Sequence, residues 1–294
     1  MAINALVTGS AGFLGRHVMT RLRNNPRVNK VVGMDNYDPI CGSQRIEATR
    51  MYTRVRDVHK FNDVRDMVVD EQITHIVHLA AYGRNLSCRD FPIAAYKVNV
   101  MGTLNVLEVA RQAGVRVAVC SSNIVLSDQP TVYKNTKKAV EELVALYAMM
   151  GVSCMALRPS NIYGPGQSRT EYQPCAFAGL DLAYEKEKQF TISGDGSQTR
   201  DWVHVEDVAR AFETVLFSDV RGDTLDVCTG IQTSMNQIAA WLGVPVKYAD
   251  PRPGDAKELI SDPTQMEATF GFEARRRIED RIFDTFPAVA KDRR

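Results

Sequence analysis

Tyr133 and Lys137 stand four positions apart in a stretch with helical spacing, so they share one helix face. Ser122 precedes them, just past the apolar run Val115 to Val119. A hydroxyl, a phenol and an ammonium that met at one point could move a proton on or off a substrate hydroxyl. A phenol is a poor base at neutral pH, and lowering its pKa by about three units takes roughly 4 kcal/mol. One cation about 5 Å away, at an effective dielectric of about 20, supplies roughly 3 kcal/mol of this. In this reading Lys137 is the cation, Tyr133 the general base, and Ser122 hydrogen-bonds the oxygen as it becomes a carbonyl. The same spacing recurs at Tyr184 and Lys188, but in a charged helical tail with no serine-tipped strand before it. That copy reads as a surface pair.

Such residues need a sheet edge to meet at, and the sequence predicts one. Short apolar runs fall at Ala5 to Val7, Val31 to Met34, Ile76 to Leu79, Val115 to Val119 and Cys154 to Leu157. Helix-period segments lie between them at Phe61 to Glu71, Ile93 to Ala113 and Tyr133 to Met150. This alternation specifies a Rossmann-type α/β fold, a doubly wound parallel sheet covered on both faces. Ser122 then ends a strand and Tyr133 opens the next helix at the carboxyl edge, so they can converge across a short connection. Past Arg158-Pro159 the pattern loosens, and "NIYGPGQSRTEYQP" and "DPRPGD" read as loops. A helix is expected from about Ala176 to Lys186, strands near Phe190 to Ile192 and Arg200 to Val205, then a helix to Phe217. The expected division is a dinucleotide-binding domain over 1–160 and a smaller α/β substrate lobe over 161–294.

Gly9, Gly12 and Gly15 form a GxxGxxG between the first strand and the first helix. The spacing gives a tight turn, close backbone approach to a pyrophosphate, and an anion site at a helix N-terminus. Asp35 ends the second strand about 20 positions on, where a carboxylate accepts the ribose hydroxyls of NAD and repels a 2′-phosphate. NAD is therefore the expected cofactor. Its nicotinamide would add a second positive charge beside Tyr133.

Composition excludes several classes. The chain has 294 residues, 45% hydrophobic and 24% charged, with Lys plus Arg 36 against Asp plus Glu 35. There is no net field for nucleic acid or an anionic membrane. Arg275 to Arg277, followed by Glu279 and Asp280, read as a solvated helix face. No apolar run approaches the roughly 20 residues a bilayer span needs. The N-terminus enters a strand directly, which predicts a cytoplasmic protein. The cysteines at 41, 88, 120, 154, 175 and 228 are scattered without metal-ligand spacing and are expected to be reduced, with no metal site.

The chain resembles the extended short-chain dehydrogenase/reductases, in particular the NAD-dependent nucleotide-sugar epimerase/dehydratase group that includes UDP-glucose 4-epimerase. The resemblance spans nearly the whole chain. It is carried by "GSAGFLG" (9–15), Asp35, Asp57-Val58, "HLAA" (78–81), "NVMGTLNVLEVA" (99–110), Ser122 and Tyr133/Lys137. "RPSNIYGPGQ" (158–167), "GDGSQTRDWVHVEDVARA" (194–211) and "RPGD" (252–255) complete it. It implies that Phe13 and Leu14 join the glycines on the cofactor and that Asp57 and Val58 contact adenine. Leu79, Ala80, Ala81 and Asn99 would line the cofactor, with Pro159 near the nicotinamide. Asn161, Arg200, Arg252 and Asp255 would hold a nucleotide diphosphate, where forked arginine donors match phosphate oxygens. Leu259 takes the place of a gate beside the sugar, with room for an N-acetyl group. A homodimer through the helices at about 93–113 and 133–150 is implied as well.

In sugar 4,6-dehydratases of this group an Asp-Glu pair follows the serine position. Here Asn123 and Ile124 stand there, and neither can move the protons of water loss. What remains is oxidation and re-reduction at C4 of a nucleotide sugar, most simply a UDP-sugar, which is a 4-epimerisation. An unusual dehydration (for example 5,6), a 4-keto-sugar reduction, or a non-catalytic NAD sensor are the alternatives. Three departures from the family fall at one mouth: Val125-Leu126-Ser127 in place of "VYG", a shortened step to Tyr133, and "AAYGRNLSCRD" (80–90). They bear on the substrate and leave the chemistry intact.

Overall fold

The computed structural model of the chain describes residues 2–41, 51–167, 176–251 and 256–292. They divide into two compact units. The first holds residues 1–125, 131–158 and 209–225, and the second holds 126–130, 159–208 and 226–294.

The first unit is built on strands most of whose residues are buried, as strands covered on both faces must be, the short edge strand Thr53–Val55 excepted. In chain order it runs β1 (Ile3–Thr8), α1 (Phe13–Arg23), β2 (Val28–Asp35), β3 (Thr53–Val55), α2 (Phe61–Asp70) and β4 (His75–His78). Then come α3 (Asn85–Asp90), α4 (Pro92–Ala95), a π-helical turn (Tyr96–Met101), α5 (Gly102–Ala113), β5 (Arg116–Cys120), α6 (Val132–Met149) and β6 (Cys154–Pro159). The seven-stranded sheet has the order β10-β6-β5-β4-β1-β2-β3, where β10 is Thr224–Val227. Strands β1 to β6 pair in parallel. The order reverses between β1 and β4, and ligands of doubly wound sheets bind at that switch point. Leu6, Ile76, Val106, Val117, Val140 and Val144 belong to its core.

The stretch 93–113, expected as one helix, is interrupted by the π turn. The cause is visible at Asn99, which is 1% exposed inside that turn. Its amide accepts from Tyr82 N–H (2.7 Å) and donates to Tyr82 C=O (3.1 Å) and to Thr136 Oγ1 (3.0 Å). One wide turn accommodates a side chain that three buried bonds hold inward. The segment 80–90 contains a short helix, α3, that its composition did not announce.

The second unit holds β7 (Asn161–Tyr163), α7 (Ala176–Glu187), β8 (Phe190–Ser193) and β9 (Thr199–His204), followed by α8 (Val205–Leu216), which runs back into the first unit. It continues with β11 (Gln232–Ser234), α9 (Met235–Leu242), β12 (Val246–Ala249), α10 (Thr264–Phe270), α11 (Ile278–Thr285) and α12 (Pro287–Asp292). Strand β9 pairs antiparallel with β11 and parallel with β7, so the loop expected at 161–167 begins as a strand. The core here is aromatic: Phe177 stacks on Trp202 with centroids 3.9 Å apart, and Phe286 packs on Phe177 and Phe190.

One surface reading changes and one stands. Arg275 to Arg277 precede α11 and lie on no helix face. Asp207, with no exposed surface, accepts from Arg275 N–H, Arg276 N–H and Arg276 Nη1. A buried carboxylate needs such donors, and they pull this chain segment onto it. Tyr184 is half-buried against Phe190, and Lys188 lies 5.3 Å from its ring while paired with Asp292. That pair is structural. Among the described residues no helix is long and apolar enough to cross a membrane.

Candidate active site

The glycine turn follows β1 directly. Gly9 has φ +68°, and a Cβ there would fall 2.8 Å from Ala80 N. A Cβ on Gly15 would fall 2.1 Å from Gly9 O. Side chains are thus excluded both where the backbone turns and where the helix starts. Gly12 caps α1, so the N–H groups of Phe13, Leu14 and Gly15 open the helix without intrahelical partners. No acidic side chain sits in that first turn. Asp35, at the end of β2, accepts from Ala11 N–H (3.0 Å) and Tyr37 N–H (2.7 Å), which fixes its carboxylate against the glycine turn. A bare turn, a helix N-terminus and an acid at the second strand end fit a dinucleotide such as NAD. Asp57 hydrogen-bonds Asn36 and pairs with His59, and Val58 is buried beneath Gly102, both next to the end of β3.

Leu79, Ala80 and Ala81 leave β4 through a buried relay that the sequence reading missed. Thr103 Oγ1 donates to Asn99 C=O (2.6 Å), so it must accept from His78 Nε2 (3.0 Å). His78 Nδ1 then accepts from Thr8 Oγ1 (2.8 Å), which in turn accepts from Leu79 and Ala80 N–H. This assigns the neutral Nε2–H tautomer. Burial, with the charge of Lys137 assisting, pushes the imidazole down to about 3. The one hint in the sequence is the polar pair Thr8 and His78 at the ends of otherwise apolar strands.

The short step between Ser122 and Tyr133 does not keep them apart. The Ser122 hydroxyl stands near enough to the Tyr133 phenol to favour its ionised form. Thr131 caps α6 by accepting from Lys134 N–H (3.0 Å) and donates to Asn85 Oδ1 (3.0 Å), which ties α3 to the turn that carries Tyr133. Lys137, one turn on, is 4% exposed and donates to Cys120 C=O (2.6 Å). Its ammonium lies 6.0 Å from the centroid of the Tyr133 ring. One element of the electrostatic expectation is reversed in the protein alone. Burial of the hydroxyl raises the phenol, the Ser122 hydroxyl opposes this, and Cys120 and Cys88 add to it. The same burial lowers Lys137. Low polarity penalises each charge separately and strengthens any attraction between them.

Of the remaining expected residues, Pro159 ends β6 and is buried. Asn161 begins β7, in register with Trp202. Arg200, on β9, donates to the carbonyls of Thr199 (2.6 Å) and Ala256 (2.7 Å). Leu259 is 6% exposed, and its carbonyl accepts from Gln232 Nε2. Arg252 and Asp255 lie outside the described residues. Asp201, fully buried beside Arg200, accepts from Ser160 and from the N–H groups of Thr229 and Ile231.

Fold and site together define a dinucleotide-binding protein with a Ser/Tyr/Lys constellation at the carboxyl edge of a doubly wound sheet. The chain belongs to the NAD dependent epimerase/dehydratase family, whose profile matches residues 5–228. It is 30% identical over 306 residues to the UDP-glucose 4-epimerase of Mycolicibacterium smegmatis, covering 92% of this chain and 93% of the relative. The UDP-glucose 4-epimerase of Thermus thermophilus, solved in complex with NAD, is 25% identical with a TM-score of 0.81 over 98% of this chain and 99% of that one. The Thermotoga maritima UDP-glucose 4-epimerase shares the fold at a TM-score of 0.88, with 24% identity over 99% of this chain and 100% of that one. The protein is therefore an enzyme of an NAD-dependent nucleotide-sugar family.

Proposed function

We propose that the protein is a nucleotide-sugar 4-epimerase acting on a UDP-sugar. The observation that carries this reading is the Tyr133 phenol with the Ser122 hydroxyl and the buried Lys137 beside it, and with Asn123 and Ile124 following the serine. Tyr133 accepts the proton of the C4 hydroxyl as that carbon is oxidised, and Ser122 donates to the oxygen as it becomes a carbonyl. When bound at Gly9–Gly15 and Asp35, NAD supplies the hydride acceptor for oxidation and the donor for the return. After the 4-keto sugar turns over, Tyr133 gives the proton back to O4, so the reaction has no net redox change. Lys137 holds the local charge that phenolate formation requires. Asn161, Arg200, Arg252 and Asp255 would hold the diphosphate, with Leu259 beside the sugar.

The test is incubation of the purified protein with UDP-glucose, UDP-N-acetylglucosamine and related nucleotide sugars, followed by separation of the 4-epimers. Equilibration of one pair supports the reading, and no interconversion across the set sinks it. The departures from the family at 80–90 and at Val125-Leu126-Ser127 support a second reading in which the same site serves a dehydration or a reduction. Product mass distinguishes these: loss of water marks the first, gain of hydrogen the second, and no change the epimerase. A second copy of the chain is the proposed partner. Ile93, Tyr96 and Met101 are exposed before α5, and Leu146, Met149 and Met150 are exposed at the end of α6. A monomer by light scattering at micromolar concentration would count against the dimer.

A further inference from the structure

Three successive residues at the end of β5 meet three residues spaced one helical turn apart on α6. Cys120 accepts from Lys137, Ser121 Oγ donates to Glu141 Oε1 (2.5 Å), and Ser122 stands beside the Tyr133 phenol. Tyr133, Lys137 and Glu141 stand at i, i+4 and i+8, so they line one face of the helix. Glu141 is also gripped by Arg158 on β6, with Nε and Nη2 each 2.7 Å from a different carboxylate oxygen. Its side chain is only 12% exposed. Ser121 N–H is bonded to Leu157 C=O (2.7 Å), so the fork from Arg158 reaches across from the neighbouring strand.

We propose that Glu141 is a positioning residue for the proton-transfer pair, holding the end of β5 through Ser121 and supporting the charged form of Lys137. The mechanical half follows from the tether. Without a carboxylate at 141, Ser121 loses its acceptor and Arg158 its partner. The strand end that presents both the Cys120 carbonyl and the Ser122 hydroxyl is then freed. The electrostatic half follows from the groups around Lys137. Burial lowers this lysine, while Cys120 on β5, Cys88 on α3 and Glu141 on its own helix favour its charge. His78 on β4 faces it as a neutral imidazole, and Arg158 on β6 offsets part of the charge of Glu141. Glu141 is the one carboxylate in that set.

The inference rests on the proposed reading of Tyr133 and Lys137 as the reacting pair, and its test separates the two. Glu141→Gln removes the charge and leaves a single acceptor oxygen for the three donors Ser121 Oγ, Arg158 Nε and Arg158 Nη2, so the tether is broken or shared. In the intact protein, hydrogen exchange over residues 119–123 is expected to accelerate, a readout independent of turnover. With a substrate that the wild type epimerises, kcat is expected to fall about tenfold or more, as for a lost charge-assisted hydrogen bond, with KM nearly unchanged. The alkaline limb of kcat should move to lower pH, because removing the negative charge lets Lys137 lose its proton sooner. Wild-type exchange, or a wild-type kcat and pH profile, would overturn the proposal. Should the glutamine variant fail to fold, Ser121→Ala tests the tether alone. It should lower kcat without moving the alkaline limb, and an unchanged kcat would overturn it. If no nucleotide sugar turns over even in the wild type, the functional reading fails, while exchange at 119–123 still decides the positioning role.

Discussion

Removing the Tyr133 hydroxyl leaves the ring's packing against Tyr82 and Cys88 in place and takes away the atom on which the chemistry depends. Tyr133→Phe is expected to cut turnover by about 10²–10⁴, the usual worth of a general base, with NAD content unchanged in native mass spectrometry. Near wild-type turnover in that variant would exclude Tyr133 as the base. Its ionisation gives a second check at this scale. Burial raises the phenol in the protein alone, so Tyr133 stays protonated through neutral pH until positive charge is added nearby. The phenolate difference spectrum of wild type minus Tyr133→Phe, recorded without cofactor, should be flat below about pH 10. A phenolate titrating near neutrality would show that Lys137 alone does the work. Spacing along the chain makes Tyr133, Lys137 and Ser122 legible as candidates. The same face rule would have reached Glu141. Its partners Ser121 and Arg158 come from two different strands, which spacing along one helix cannot show.

The elements that present these residues depend on a few tight places. A methyl group at Gly15 would meet Gly9 O at 2.1 Å, and no rotamer change relieves a backbone clash. Gly15→Ala should therefore lose NAD, read as apo protein in native mass spectrometry; retention of full cofactor would show that the turn can shift. At the other helix, Thr131→Ala removes the side-chain cap of α6 and its link to Asn85. A loss of about 0.5–2 kcal/mol in denaturant stability is expected for such a cap, together with weaker turnover. The parallel strands were readable because continuous burial on both faces leaves an unbroken apolar run. Strand β12 is mostly exposed and β3 spans only Thr53–Val55, so neither leaves a pattern to read. Arg276 was misplaced for a different reason: its partner Asp207 lies 69 positions away, and only tertiary structure joins them.

For the molecule as a whole, the buried imidazoles set an acid limit. Burial lowers His78 from 6.5 to about 3 and His75 to about 4. Between these values and 6.5 the unfolded chain binds more protons than the folded one, so stability rises with pH there and is lost as pH falls. The melting temperature should drop steadily as pH is lowered from about 6.5 toward 4, more steeply than in a His78→Gln variant compared with its own neutral value. A flat profile would mean that these rings are protonated in the native state. At this scale the parallel sheet and its dinucleotide end follow from pattern, whereas the substrate does not, because a sugar is chosen by side chains on short segments that carry no periodicity. The π turn at Tyr96–Met101 carries one further consequence. Deleting a single residue there would let the chain close into an ordinary helix, turning everything on one side by about 100° relative to the other. Asn99 would then leave Tyr82 and Thr136. In this stretch the length of the chain is itself information, so the gene should tolerate many changes of letter there and almost no change of count.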